Sequence, residues 1–305
     1  MTHLGDLTIL NQQALDNAAE SRESLVRSID LDKLGSYVLS RKREFPYRGF
    51  VEVQPDPLCP SFLMFANNDD LVALHFLWAG NVGWEMTALK IWIYLCSLDT
   101  CDTVLDIGAF SGIYALIANN IGVKNIVAFE PGRMPSIRLV DNINANGASN
   151  IRVVTNAVSN YNGTAQFELV RDLRTLSSAG HISGEPAFGA DIDLATVITI
   201  DRYLDRNPMG NVSAIKIDVE GEEYKLLNGM LNTLEQYKPD LIVEIKPKLV
   251  PDIVEYLKQF GYSGYLISEL DGQIMNLITV PDSVYNYFFS TNADRLDMIR
   301  QSLLR

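Results

Sequence analysis

The chain has 305 residues, 47% of them hydrophobic, and a formal net charge of −13. That length supports one large core with an appendage, or two small domains. The negative charge weighs against non-specific nucleic-acid binding, which needs a basic surface, although a local basic patch stays open; the one basic cluster, Arg41-Lys42-Arg43, fits a solvated helix end.

Cys59, Cys96 and Cys101 are odd in number and match no zinc or redox spacing, so free thiols in a reducing compartment are expected. The first residues, with Thr2, His3 and Asp6, show no signal-peptide pattern, and no run approaches the ~18 apolar residues of a membrane span. A cytoplasmic protein with no membrane and no nucleic-acid partner is the expectation.

Residues 6–44 show a polar helical pattern with Leu25, Ile29, Leu34 and Val38 three or four apart. Residues 45–60 carry four prolines and predict extended chain or loop. The apolar run 71–78 fits a strand or a buried helix, Asn81-Val82-Gly83 a turn, and 85–98 a helix with Met86, Leu89, Ile93, Leu95 and Cys96 inward. Residues 1–80 are therefore expected to form a mainly helical cap, and 81–305 a second, larger domain. Trp78, Trp84 and Trp92 are assigned to the core rather than to an interface, and a homodimer is left open.

From residue 100 strand and helix patterns alternate: strands at 103–107, 125–129, 151–155, 213–217 and 241–245, and helices at 112–121, 134–146, 222–236 and 250–260. A further helix fits 294–303. Such alternation means an α/β fold with a parallel sheet and helices on both faces. One interval breaks the rhythm. Between strands at 164–169 and 195–200 lies a segment rich in Ser, Gly and charge, with Thr175, Ser177, Ser178, Gly180, His181, Gly184 and Glu185. A long insert near the carboxyl ends of the strands is expected to act as a substrate lid, around 170–194.

The segment 103–114 carries the first functional signal. A buried-strand run reaches Asp106, and a turn containing Gly108, Ala109 and Gly112 follows and opens into a helix. Glycine lets backbone pass close to a ligand where a Cβ would clash. The next strand ends at Glu130, where an acidic side chain can accept from a ribose diol. Phe110 occupies the place of the second glycine in the dinucleotide pattern, the one that lets a pyrophosphate approach. Acidic Asp106 also suits a cation better than a diphosphate. S-adenosylmethionine, with a sulfonium, an ammonium and no phosphate, is therefore favoured over NAD.

A second constellation follows strand 213–217: Asp218-Val219-Glu220-Gly221-Glu222. Asp218 and Glu220 share one side if the chain stays extended, whereas Glu222 and Glu223 suit a helix N-terminus. Glu244 interrupts an apolar run and needs a partner, for which Lys246 and Lys216 are the candidates. The functional alternative groups Asp218, Glu220 and Glu244 as an acidic cluster that steers a general base or holds a divalent cation.

With these landmarks the chain resembles the FkbM-type S-adenosylmethionine-dependent methyltransferases. The likeness rests on residues 104–114, Phe129-Glu130-Pro131, 215–222 and Val243-Glu244-Ile245, with further matches at Glu85, Ala157-Val158-Ser159 and 200–204. It covers roughly 80–250, and Asp-Val-Glu-Gly is its most specific element. The resemblance implies a class I (Rossmann-like) seven-stranded mixed sheet, with 260–266 and 274–280 as an antiparallel hairpin turning at Asp271-Gly272. It also implies a cofactor-binding set. Asp106, Gly108 and Gly112 border the methionine moiety, together with Ala109 and Glu85. Glu130 binds the ribose, Pro131 packs near the adenine, Asn156 and Ala157 lie at its edge, and Asp218 sits beside the sulfonium. Phe110 departs from the asparagine common there.

Methyl transfer to a hydroxyl needs an oriented acceptor and a base or metal to take the proton. The resemblance implies O-methylation of a small molecule, a natural product or a sugar. Asp218 and His181 are candidate bases, with Glu220 beside them; of the other histidines, His3 is terminal and His75 fits a core position. Two alternatives are a metal-dependent O-methyltransferase using Asp218, Glu220 and Glu244, and a non-catalytic binding protein on the same fold. A nicotinamide dehydrogenase is disfavoured by Phe110.

Overall fold

A computed structural model describes residues 11–22, 33–82, 84–169, 181–182, 191–277 and 285–303. The N-terminal part contains helices α1 (11–22) and α2 (Leu34–Glu44), an antiparallel hairpin β1 (Arg48–Val53) and β2 (Phe62–Asn67), and α3 (Leu71–Ala79). The apolar run at 71 is thus a helix, started by the fully buried Asp70, which accepts from Ala73 N at 3.1 Å. His75 is buried within it, its Nδ1 bonded to Leu71 O at 2.7 Å.

The main body runs α4 (Met86–Cys96), β3 (Thr103–Ile107), α5 (Ile113–Ile121), β4 (Asn125–Phe129), α6 (Arg133–Ala145) and β5 (Ile151–Val154). Then come β6 (Ala157–Val158), β7 (Gly163–Leu169), β8 (His181–Ile182), β9 (Asp191–Ile198) and α7 (Ile200–Arg206). The chain closes with β10 (Val212–Ile217), α8 (Glu223–Asn228), α9 (Leu231–Gln236), β11 (Asp240–Ile245), α10 (Val250–Lys258), β12 (Ser263–Ser268), β13 (Gln273–Asn276), β14 (Tyr285–Ser290) and α11 (Arg295–Leu303).

The central sheet has the order β13-β12-β14-β11-β10-β3-β4-β5, parallel from β11 through β5 and antiparallel at the β14-β12-β13 end. It has eight strands rather than the expected seven. β12 and β13 do form the hairpin about Gly272, but β13 is an extra edge strand. The strand beside β11 is β14, whose aromatic run Tyr287-Phe288-Phe289 is buried on both faces. A second small sheet, β6-β9-β7-β8, includes residues 181–182 and 191–194 of the segment expected as a lid; residues 170–180 and 183–190 lie outside the described residues. The single helix expected at 222–236 is two helices: Asp201 accepts from Asn232 N and Thr233 N, both at 2.9 Å, at the start of the second, and Gly229 between them packs on Ser159, whose carbonyl oxygen would lie 2.2 Å from an added Cβ.

Period-two alternation divides the core. Leu105, Ile107, Ile215, Ile217, Val243 and Ile245 point to the face covered by α7–α10. Val104, Ala214, Ile242 and Phe288 point to the face covered by α4, α5 and the N-terminal part. Trp78 and Trp92 are fully buried on that second face.

Side chains of α6 fasten the N-terminal hairpin to the body as a strand would. Asn146 accepts from Leu63 N at 2.8 Å and donates to Leu63 O at 2.7 Å. Asn142 accepts from Phe65 N at 2.7 Å and donates to Ser111 O at 2.9 Å. Arg138 donates to Phe65 O and forms a two-pronged pair with Asp69. Asn142→Ala leaves the buried Ser111 carbonyl and the partly buried Phe65 N–H without this partner, so thermal or urea unfolding should show a loss of about 2–4 kcal/mol. A loss under about 0.5 kcal/mol would mean that this junction is not rigid.

Candidate functional site

The site lies at the carboxyl ends of β3, β4, β10 and β11, where ligands bind in open α/β sheets. Two loops meet there backbone to backbone. Gly108 N and Ala109 N both donate to Phe129 O at 2.9 Å, and Asp218 N donates to Ile107 O at 2.9 Å. Gly108 has φ +85°, and an added Cβ would lie 1.7 Å from Asp218 O. Phe110 is itself left-handed, with φ 50°, and its N–H donates to Glu130 Oε2 at 2.8 Å. Gly132 N donates to the other oxygen, Oε1, at 2.7 Å. Both oxygens of Glu130 are thus fixed by backbone at the end of β4. Burial raises its carboxyl to about 7 against the pull of those N–H groups.

These loops bound a cavity with about 1080 Å³ of free space, open mouth included. Glu85, Asp106, Gly108, Ala109, Glu130, Pro131, Asn156, Ala157, Asp218 and Glu220 all line it. Gly112 does not; it starts α5 at φ +95° and packs on Leu139, and Ser111 and Ile113 line the wall instead. His181 is placed only by its backbone, paired with Glu168 in the small sheet. Trp84, Phe110 and Phe167 supply apolar walls.

A row of polar side chains crosses the sheet face beneath α4 and α5. Asp106 stands opposite Lys216, and Glu244 opposite Asn286. Asp106 Oδ2 accepts from Ala115 N at 3.0 Å. Burial raises it to about 7, opposed by Lys216. Glu85 reaches the row from the start of α4. Because Glu269 accepts from Thr87 N and Ala88 N, capping that helix from a distant loop, the Glu85 side chain is left to accept from Tyr114 OH at 2.6 Å. Carboxylate oxygens of Glu85, Asp218 and Glu244 lie within 4.8 Å of one another. Burial and mutual repulsion raise Asp218 to about 7 and Glu244 to about 8, with Lys216 working the other way on both.

Glu220 is turned away from this trio. It sits at φ 56°, and Lys246 Nζ donates to its carbonyl at 2.7 Å and pairs with its carboxylate at 3.4 Å. The structure therefore groups Glu85, rather than Glu220, with Asp218 and Glu244. Lys246 serves Glu220, and Lys216 faces the trio. Lys216, Tyr114, Trp84 and Asn286 were not singled out as site residues from the sequence; the charge of Lys216 inside an apolar strand was the available signal.

The doubly wound sheet, its reversed β14, and the cavity over the ends of β3 and β10 are those of the class I methyltransferase fold. Residues 106–263 match the family model for the methyltransferase FkbM domain. The chain belongs to that family. No match is found among curated proteins. Among solved structures it is similar to methyltransferase FkbM from Methylobacillus flagellatus KT, at 18% identity and TM-score 0.41, covering 71% of this chain and 52% of that one. It is also similar to SMU.1697c from Streptococcus mutans, solved in complex with SAH, at 11% identity and TM-score 0.41, covering 66% and 96%. An rRNA methylase from Streptococcus thermophilus aligns at 13% identity and TM-score 0.40, covering 67% and 93%. The chain thus spans about half the length of the Methylobacillus protein.

Proposed function

We propose that the chain is an S-adenosylmethionine-dependent methyltransferase acting on a hydroxyl of a small molecule, a natural product or sugar. The observation that carries this reading is the charge of the cavity. Glu85, Asp106, Glu130 and Asp218 line it, and among the described residues Lys216 is the one cation in its lining. That excess suits a sulfonium and an ammonium and opposes a diphosphate. The bare backbone at Gly108 and the fixed acceptor Glu130 suit the methionine moiety and a ribose diol, with Pro131, Asn156 and Ala157 toward the base.

When bound, the cofactor supplies a methyl group activated on sulfur. The chain supplies the rest. Trp84, Phe110 and Phe167 exclude water. Asp218, at the end of β10, takes the proton of the acceptor hydroxyl on its carboxylate, and its position near 7 suits a general base. His181 is the second candidate base. A divalent cation on the acidic trio is disfavoured, because Lys216 Nζ already lies 3.7 Å from Glu85 and 3.8 Å from Asp218. Among the described residues no helix is long and apolar enough to cross a membrane. We place the protein in the cytoplasm, a location supported by free Cys59, Cys96 and Cys101.

Calorimetric titration with S-adenosylhomocysteine, with NAD as control, tests the cofactor. Binding of the first alone is expected, weakened about 100-fold or more in Glu130→Ala through lost charge-assisted bonds. Binding of NAD, or of neither compound, would overturn the reading. Turnover on a hydroxylated acceptor should survive a chelator.

A further inference from the structure

Lys216 is 2% exposed, on a strand buried on both faces. Its Nζ donates to Asn286 Oδ1 at 2.7 Å. It also lies 3.7 Å from Glu85 Oε2, 3.8 Å from Asp218 Oδ2 and 5.0 Å from the centre of the Tyr114 ring. A buried ammonium is costly unless it is paired and hydrogen-bonded. Here its partners come from separate places: the start of α4, α5, the loop after β10, and β14. Asn286 is neutral and holds the ammonium in place without consuming its charge. The proton-transfer and cofactor-contact roles assigned above make no use of this residue.

We propose that Lys216 is a positioning residue of the methyl-transfer site, a built-in cation that stands among the three carboxylates and holds Glu85 and Asp218 directed at the cavity with their negative charge retained there. This rests on the S-adenosylmethionine reading of that cavity. Three carboxylates within 4.8 Å of one another cannot all ionise unaided. Without that cation Asp218 and Glu244, both raised by burial and opposed only by Lys216, hold protons, and the cavity loses charge that recognises a sulfonium. A single ammonium offsets part of that repulsion and leaves a net negative site. A divalent ion would nearly cancel it and would sit against the Lys216 ammonium. Burial pulls the Lys216 ammonium down, but Glu85, Asp218, Glu244 and Asp106 together hold it above its usual value. The titratable groups facing this lysine are Glu85 and Tyr114 from above, Asp106 and Glu244 along the sheet, and Asp218 from its own loop. Glu220 and Glu223 act on Asp218, and Glu269 interacts with Glu85.

The test compares two ligands, each titrated by calorimetry into the full chain between about pH 6 and pH 9.5. S-adenosylhomocysteine has a neutral sulfur; sinefungin carries a protonated amine where the sulfonium sits. Their affinity ratio reports charge at that point. In the wild type, sinefungin should bind about tenfold or more tightly at neutral pH. In Lys216→Met the ratio should fall toward one at neutral pH and recover only about one unit or more higher, as the carboxylates ionise unaided. Lys216→Gln, which keeps a donor for Asn286, should behave alike and covers the case in which the methionine variant does not fold. A packing role alone would weaken both ligands equally and leave the ratio and its midpoint unmoved, and that result overturns the proposal. So does loss of the wild-type ratio on treatment with a chelator. A wild type that binds neither ligand would instead overturn the cofactor reading.

Discussion

Gly108→Ala should yield a protein that binds S-adenosylhomocysteine about 100-fold or more weakly and melts about 5 °C lower or more. Two costs combine. The first is conformational: φ is +85°, and a side chain there costs about 1–2 kcal/mol. The second is steric. The new Cβ would lie 1.7 Å from Asp218 O and 2.8 Å from its carbonyl carbon. Those are backbone atoms, fixed by the bond from Asp218 N to Ile107 O, while Gly108 N and Ala109 N are fixed to Phe129 O. Relief requires the two loops to part, which moves Asp218 relative to Asp106 and Lys216, and misplacement of a reacting group by ~1 Å costs about 100-fold. Gly122→Ala separates the two costs. Gly122 has φ +101° with nothing within 4 Å of an added Cβ, so it should lose only the conformational part and bind ligand normally. Equal melting and equal binding in the two variants would refute the loop packing described here.

The strands that build the site end alike: Asp106-Ile107, Lys216-Ile217 and Glu244-Ile245. In each a charged residue interrupts an apolar run one place before the end, and period two puts all three on one face. Asp106 and Glu244 were therefore legible as candidates from a single sequence. Lys216 carries the same signal but reads from sequence as a mere counter-ion for Glu244, because strand adjacency is a property of the sheet. Only with β10 between β3 and β11 does Lys216 become the centre of the row. Glu85 was reached through family resemblance alone, since its bonds depend on bringing residues 85, 114 and 216 together.

Phe110 was legible as a departure from the glycine pattern, but its consequence was not. The chain adopts the left-handed turn with a phenylalanine, and that turn presents its N–H to Glu130. A phenylalanine thus holds a left-handed turn of the kind glycine usually takes, and gives Glu130 a backbone donor. The far end of the sheet was least legible. Tyr285–Ser290 enters between β11 and β12, and order in space cannot be read from order along the chain. Its Asn286 faces the site only because that insertion sets it opposite Glu244.

The ligand-free protein should become less stable as pH rises from about 5.5 to 8.5, and bound sinefungin should recover more stability at the upper end. Burial raises Asp106 and Asp218 from 3.8 to about 7, Glu130 from 4.5 to about 7 and Glu244 from 4.5 to about 8. For an acid raised in the folded state, the native protein holds its proton more tightly than the unfolded chain. Its stabilising contribution is complete below the unfolded value, near 4, and is lost as pH climbs through 7 to 8. One unit corresponds to about 1.4 kcal/mol, but these groups share one lysine and titrate together, so a total of a few kcal/mol is expected rather than a simple sum. Burial lowers the His75 imidazole below its usual 6.5, so that group adds stability as pH climbs toward 6.5, and the fall is read above that value. A ligand bearing a cation favours the ionised site, so its stabilisation should grow through the same interval. Melting temperatures across overlapping buffers, with and without sinefungin, give both curves. Asp106→Asn removes one of the titrating groups and should flatten the ligand-free curve. A ligand-free melting temperature that is level or rises across this interval would show that the buried acids are not strained by ionisation, and the electrostatic basis of cation recognition at this site would fail with it.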